Sequence, residues 1–223
     1  MNNIKYLVGN SKYSSEPYEP FSEHVIKFLE NLSNELILKK DLKNYPDLKA
    51  LSFWCRKKNI LKLKKEFLTS NNKIGLGLAF HITPSNIATN FAYSLIFGLL
   101  SGNSNIVKAP SREFEEITII CKIIQKILKK KNTFLKNKIT IIRYKNNDLL
   151  TKKFSMNCNA RLIWGGDKTI NDIKSFKTNE RTLDITFADR YSFCIIDQSK
   201  ISNLSNFELK NLVKKFYNDT YLV

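Results

Sequence analysis

Histidine, cysteine and glycine are scarce in this chain of 223 residues, and each scarcity bears on a class of function. There are two histidines and four cysteines. No two cysteines form a CxxC pair and none has a companion histidine, so the clustered ligands of a zinc centre are not in place and no metal is expected. The seven glycines supply no GxGxxG dinucleotide fingerprint. Gly75-Leu76-Gly77 lies inside an apolar run, with no third glycine at the required place. Long apolar runs are missing too. The longest, Ile87 to Leu100, is interrupted by Thr89, Asn90 and Ser94 and falls short of the roughly 20 residues that a membrane-spanning helix needs. It reads as a buried helix, and no membrane contact is expected. Met1 to Asn10 lacks the charged start and apolar core of a secretory signal, so a cytoplasmic protein with reduced thiols is expected. Cys121 and Cys194 sit in apolar runs and read as core residues.

Acidic residues are outnumbered. Lys and Arg total 37 against 20 Asp and Glu, for a net charge of +17. The lysines are spread along the whole chain instead of clustering, which favours a solvated surface over a nucleic-acid face, and no nucleic-acid partner is expected. A basic surface also suits phosphate-rich ligands. The hydrophobic share, 43%, is that of an ordinary globular protein and permits a sizeable core.

The first 70 residues read as mostly helical. Phe21, Val25, Phe28, Leu29, Leu32, Leu36 and Ile37 recur at three- and four-residue steps, with Ser22 placed to cap the start. After a break at Pro46-Asp47 a second stripe runs through Leu48, Leu51, Trp54, Cys55, Ile60, Leu61, Leu63 and Phe67. Ser70-Asn71-Asn72 is a polar joint, and the boundary is drawn there: a helical segment over 1–70 and an α/β domain over 71–223. Beyond it, apolar runs at Ile74–Ile82, Asn105–Ala109, Lys138–Arg143, Arg161–Trp164, Leu183–Phe187 and Ser192–Asp197 predict strands. Helices are predicted near Ile87–Leu100, from Pro110-Ser111 to Lys131, over Asp148–Phe154 and over Asp167–Phe176. A further helix follows the capping box Ser205-Asn-Phe-Glu208 and runs to about Tyr217. Strand and helix alternate with short polar joints, the pattern of a doubly wound α/β sheet.

Such sheets bind ligands at the carboxyl ends of their strands. The loops there carry Thr83-Pro84-Ser85-Asn86, Lys108-Ala109-Pro110-Ser111 and Trp164-Gly165-Gly166-Asp167. A strand-end lysine can bond ribose hydroxyls or a phosphate, and a glycine pair before a helix lets backbone N–H groups approach an anion. Together these loops could hold a dinucleotide. Taken singly, Lys108 is also an ordinary strand-end lysine, Gly165-Gly166 an ordinary turn and Asn86 a helix N-cap. His81 reads as a core or turn histidine.

Four blocks add a resemblance. His81-Ile-Thr-Pro-Ser-Asn-Ile87, the stretch Gly98 to Ser111, Arg161-Leu-Ile-Trp-Gly-Gly-Asp167 and Thr186-Phe-Ala-Asp-Arg-Tyr-Ser192 occur in one order and at similar separations. They resemble the fatty acyl-CoA reductase family of bacterial bioluminescence type (LuxC-like), within the aldehyde dehydrogenase superfamily. The resemblance covers about Lys73 to Val223 and implies an aldehyde dehydrogenase-like, Rossmann-type cofactor-binding domain behind the N-terminal helical segment. It implies that Asn86 is an oxyanion-hole donor, a role typically worth about 3 kcal/mol to a tetrahedral intermediate. Ile82 and Thr83 would line the cofactor, Lys108 would contact the adenosine ribose, and Ser111 shares its loop. Arg112 stands where many NAD-preferring relatives carry an acid, so a 2′-phosphate, hence NADPH, is implied. Trp164, Gly165 and Gly166 would meet the pyrophosphate and nicotinamide side. Thr186 stands where hydrolytic relatives place a glutamate base, which suits a reductase.

The sequence departs from the family twice. No glycine lies between Asn103 and Trp164, where many relatives have a helix-start pair near Asn146-Asn147 here. None of the four cysteines matches the family's nucleophile, expected within several residues of Tyr221. The catalytic domain is therefore expected to be absent from this sequence and the chain to be inactive alone. The function implied is NADPH-dependent reduction of a fatty acyl-CoA, or of an acylated partner protein, to an aldehyde. An acyl-activating synthetase and a thioesterase-like acyl-transferase are the partners that go with it, and a homo-oligomer is compatible. The alternative is a non-catalytic nucleotide-binding or docking module.

Overall fold

The computed structural model of the chain describes residues 4–68, 72–130, 134–145, 148–190 and 193–221. It falls into two compact units that divide after Ala188. The larger unit is built on a six-stranded sheet in the order β1-β4-β3-β2-β5-β6. These strands are β1 (Lys5–Val8), β2 (Leu78–Ile82), β3 (Ser104–Lys108), β4 (Ile139–Arg143), β5 (Ala160–Trp164) and β6 (Leu183–Phe187). Strands β2 to β6 pair in parallel, and β1 adds to β4 antiparallel. All five residues of β2 are buried, as expected of a parallel strand covered on both faces.

Helices cover both faces. Their ranges are α1 (Glu23–Ile37), α2 (Pro46–Trp54), α3 (Lys57–Phe67), α4 (Asn90–Leu100), α5 (Glu115–Lys130), α6 (Asp148–Asn157) and α7 (Asp167–Lys174). Alternate strand residues sort into two cores. Val107, Ile139 and Ile141 pack with Phe91, Leu95 and Leu99 of α4, Ile117, Ile120 and Ile124 of α5, and Val25, Phe28 and Leu32 of α1. On the other face Phe80, Ile106, Ile142 and Ile163 pack with Leu150 and Phe154 of α6 and Ile170 and Ile173 of α7. Each fully buried side chain of this kind contributes roughly 1.5–3 kcal/mol of transfer free energy.

The α/β reading holds, and its edges shift for identifiable reasons. The first residues form β1, paired Lys5 to Arg143, so part of the region read as helical belongs to the sheet. The strand expected from Ile74 starts only at Leu78. The backbone N–H groups of Leu76 and Gly77 donate to Asn103 Oδ1 (2.7 and 3.2 Å), and Gly77 holds a φ of +121°. Ser22 occupies the N-cap position of α1, yet its hydroxyl is buried and makes no cap bond. Helix α5 begins at Glu115, later than Pro110-Ser111 suggested.

The smaller unit holds α8 (Gln198–Ser202) and α9 (Asn206–Tyr221). The capping box forms: Glu208 N–H donates to Ser205 Oγ (3.3 Å) and Ser205 N–H to Glu208 Oε2 (2.9 Å). The strand expected at Ser192–Asp197 does not form. Residues 193–197 have no regular structure, Ser192 lies outside the described residues, and Phe193 and Ile195 are each 85% exposed. Cys194 is exposed, not a core residue. An apolar run becomes a strand only beside a partner, and none of the described strands pairs with this one.

One ion pair fixes the register of the last two strands. Arg161, 1% exposed, donates from Nε and Nη2 to the two carboxylate oxygens of Asp184, each at 2.7 Å. Its Nη1 donates to the carbonyls of Ile173 (2.9 Å) and Phe176 (3.2 Å) at the end of α7. Removing the carboxylate strands a buried charge. Asp184→Ala is expected to lower unfolding stability by about 3–5 kcal/mol, read from the urea midpoint. A midpoint at the parent value would show that the pair does not hold the strands.

Candidate functional site

Strands β3 and β4 lie to one side of β2, and β5 and β6 to the other. The chain thus reverses direction across β2, and its crevice opens at the carboxyl ends of β2 and β5. Ile82, the last residue of β2, is buried. Thr83 follows it, half-buried, and its hydroxyl donates to the Lys108 carbonyl (2.7 Å), joining the ends of β2 and β3. Asn86 is exposed, and among the described residues its side chain makes no hydrogen bond. It is not the N-cap, because α4 starts at Asn90 with Thr89 in the cap position.

Lys108 ends β3 with its Nζ 4.7 Å from the centre of the Tyr144 ring. Burial pulls its pKa below the usual lysine value, against the nearby carboxylate of Asp148, which raises it. The next loop is anchored by Arg143, whose Nε donates to the Pro110 carbonyl (3.0 Å) and whose Nη1 donates to Glu113 Oε1 (3.0 Å). Ser111 and Arg112 stand exposed on this anchored loop, the guanidinium of Arg112 4.9 Å from the Phe114 ring centre.

At the end of β5 the Trp164 indole lies flat on the Phe187 ring, with centroids 3.9 Å apart and planes 9° from parallel. Gly165 N–H donates to the Phe187 carbonyl (3.2 Å), and Gly166 takes the N-cap position of α7. A Cβ on Gly165 would sit 3.2 Å from Thr169 Cβ, so a side chain there would crowd the turn. The turn that enters α7 thus carries no side chain at two successive positions, which lets a ligand approach its backbone, and Asp167 follows in the first turn of the helix. Thr83, Lys108 and Trp164 to Gly166 share one edge of three adjacent strands. Asn86, Ser111 and Arg112 lie on the exposed parts of the same loops.

The comparisons with known proteins decide the family. A family model described as acyl-CoA reductase (LuxC) matches residues 16–220. The chain belongs to that family. No curated protein matches it. Among solved structures it is similar to aldehyde dehydrogenase 21 from Physcomitrella patens, determined with its reaction product succinate. The TM-score is 0.60 at 14% identity, over 87% of this chain and 45% of that one, a likeness of fold. The chain thus spans under half the length of that dehydrogenase.

Within this reductase-family chain, sequence reasoning missed Tyr144, Arg143 and Phe187. The available signal was their position: each lies at or just after the carboxyl end of a predicted strand, the edge already marked as the binding edge. Thr186 is exposed on β6. Asn146 and Asn147 lie outside the described residues. Burial pushes the thiols of Cys55, Cys121 and Cys158 up to about 12, so none is a thiolate at neutral pH. Among the described residues no group of three or more His, Cys, Asp or Glu could hold a metal ion, and no helix is long and apolar enough to cross a membrane.

Behind the edge lies His81, wholly buried in β2. Its Nδ1 is 2.8 Å from Ser94 Oγ and its Nε2 2.9 Å from Asn105 Oδ1. Burial lowers its pKa from the usual 6.5 to about 4, with the Asn105 bond a smaller opposing effect. Between those two pH values the unfolded chain binds a proton that the folded chain does not, so stability falls as pH falls. The loss from this group is expected to reach roughly 3 kcal/mol by pH 4. His81→Gln should flatten that part of a stability-versus-pH curve measured by urea unfolding. Parallel curves for variant and parent would refute the assignment.

Proposed function

We propose that the edge formed by Thr83, Lys108 and the Trp164-Gly165-Gly166 turn holds NADPH, and that the reductase served by this domain converts a fatty acyl-CoA, or an acyl group on a partner protein, to an aldehyde. The observation that carries the reading is the placement of Lys108 and the Gly165-Gly166 turn at the ends of β3 and β5, the strands on either side of β2, at the switch point of a doubly wound sheet. These residues fit the group: one half-buried cation for ribose or phosphate, one glycine turn for the pyrophosphate, and a flat aromatic wall beside it. When bound, NADPH supplies hydride for the acyl carbon.

The protein's own residues do the rest. Lys108 is kept from wandering by the Tyr144 ring, so its ammonium is presented at the strand end at little further entropic cost. Arg143 holds the loop of Ser111 and Arg112 in place, and Arg112 offers a mobile charge that suits a 2′-phosphate. In this reading Asn86, exposed at the mouth of the crevice, is free to donate its amide N–H to an oxyanion. A threonine at position 186 activates no water, which favours hydride transfer over hydrolysis.

A second reading has its own support. With three thiols pushed to about 12, the chain offers no activated cysteine in its core, and a non-catalytic nucleotide-binding module fits that observation. NADPH titration with acyl-CoA turnover in parallel separates the two. Binding with turnover supports the reductase reading for the chain itself, and binding without turnover supports the module.

For the site, calorimetric titration of the 223-residue chain is expected to give saturable NADPH binding. Lys108→Ala should weaken it roughly ten- to hundredfold, the loss of a hydrogen bond to a charged group. Arg112→Ala should weaken NADPH while leaving NADH unchanged. Unaltered NADPH affinity in Lys108→Ala would remove the proposed edge.

A further inference from the structure

Trp164 is not held by stacking alone. Its indole N–H points at Ser94 Oγ, 3.3 Å away on α4. Ser94 is buried and in turn lies 2.8 Å from His81 Nδ1, and His81 Nε2 lies 2.9 Å from Asn105 Oδ1. The Asn105 amide nitrogen donates to the Asn103 carbonyl at 2.6 Å. That last bond sets the direction of all the others. Because Asn105 turns its N–H group toward Asn103, only its oxygen faces the imidazole, so Nε2 carries the proton and donates. Nδ1 is then an acceptor, and the Ser94 hydroxyl must donate to it. The serine oxygen is left with lone pairs for the indole N–H. Donation therefore runs one way, from Trp164 through Ser94, His81 and Asn105 to a backbone carbonyl.

Three members of this chain, Ser94, His81 and Asn105, are buried. The groups against the ring are Ser94, Asn105 and Gly98, none of them charged. A Cβ at Gly98 would strike Asn105 Oδ1 and come 2.9 Å from His81 Cε1, so the bare glycine is what lets α4 close over the pair. A buried polar network of this kind specifies one arrangement only when every member is satisfied, and here each of the side chains has its partner.

We propose that Ser94 and His81 are positioning residues for Trp164: their one-way hydrogen-bond chain fixes the plane of the indole, and with it the wall that the cofactor turn presents. The effect on the cofactor rests on the NADPH reading above; the effect on the indole does not. Stacking on Phe187 sets the tilt of the ring but leaves it free to slide and to turn over in its own plane, and the Ser94 bond removes that freedom.

The test uses the chain with Trp54→Phe, which leaves Trp164 as the sole fluorophore of its kind because the sequence has two tryptophans. Ser94→Ala removes the acceptor of the indole and the donor to His81 with the loss of one atom. Alanine suits a helix, so the fold is retained, as far-UV circular dichroism will check. Ser94→Ala is expected to shift the Trp164 emission maximum, lower its steady-state anisotropy and raise the NADPH dissociation constant about tenfold, the worth of one hydrogen bond. Ser94→Thr, which keeps the hydroxyl, should restore all three. Emission and anisotropy unchanged in Ser94→Ala overturn the proposal, as does a change that accompanies loss of the fold and is not restored by threonine. If the parent binds no NADPH, the cofactor reading falls, and the emission arm still decides whether Ser94 holds the indole.

Discussion

The buried guanidinium of Arg161 is the constraint on which the proposed binding edge depends. Taking a charge out of water costs several kcal/mol, and a countercharge and well-placed acceptors have to offset it. Here a bidentate carboxylate and two helix-end carbonyls do so. The geometry is satisfied in one register, Arg161 against Asp184. Three residues further along the same two strands, that register places Trp164 opposite Phe187. A slip of one residue would turn every side chain of β6 to the other face and undo the stack. The same guanidinium pins the last turn of α7, so both ends of the helix that follows the glycine pair are held.

The two edges of the sheet are built from different chemistry. At the amino edge, asparagine side chains stand in for missing strand partners: Asn103 accepts from Leu76 and Gly77, and Asn159 accepts from Leu78 at 2.9 Å. These bonds close the backbone off. At the carboxyl edge the tethers are of another kind: Thr83 to the Lys108 carbonyl, Lys108 over the Tyr144 ring, Arg143 to the Pro110 carbonyl.

Much of this was legible in the sequence, for physical reasons that also mark where legibility stopped. Parallel strands covered on both faces read as continuous apolar runs, so β2 to β5 were visible, and β6, largely exposed, showed as a short apolar run before a break. Helices such as α1 and α5 carry stripes that periodicity exposes, and the Ser205–Glu208 box announces its helix by chemistry alone. Strand β1 was invisible, because four residues with one of them buried carry no period and take their conformation from β4. Residues 193–197 failed in the opposite sense: apolar character was read as burial, but burial needs a neighbour that the local sequence does not specify. In the binding edge, Lys108, Trp164 and the glycine pair were marked by residue type and by family resemblance. Tyr144 and Phe187 were not, since an aromatic at a strand end looks like any core aromatic until the register is known. His81 was correctly read as a core residue, while its partners Ser94 and Asn105 come from distant positions that only the packing of α4 brings together.

The placement of β1 has a consequence for how the chain is made. Lys5 pairs with Arg143, and β2, β3 and helices α1 to α5 all lie between them in the sequence. At usual elongation speeds β1 waits roughly ten to thirty seconds for its partner strand to emerge. During that interval the nascent chain can set α1 to α3 and the β2–β3 pair in place, while β1 is still without its partner strand. Contacts of such long sequence separation are the slow ones to close, so β4 gains its outer neighbour only through the longest-range pairing of the sheet.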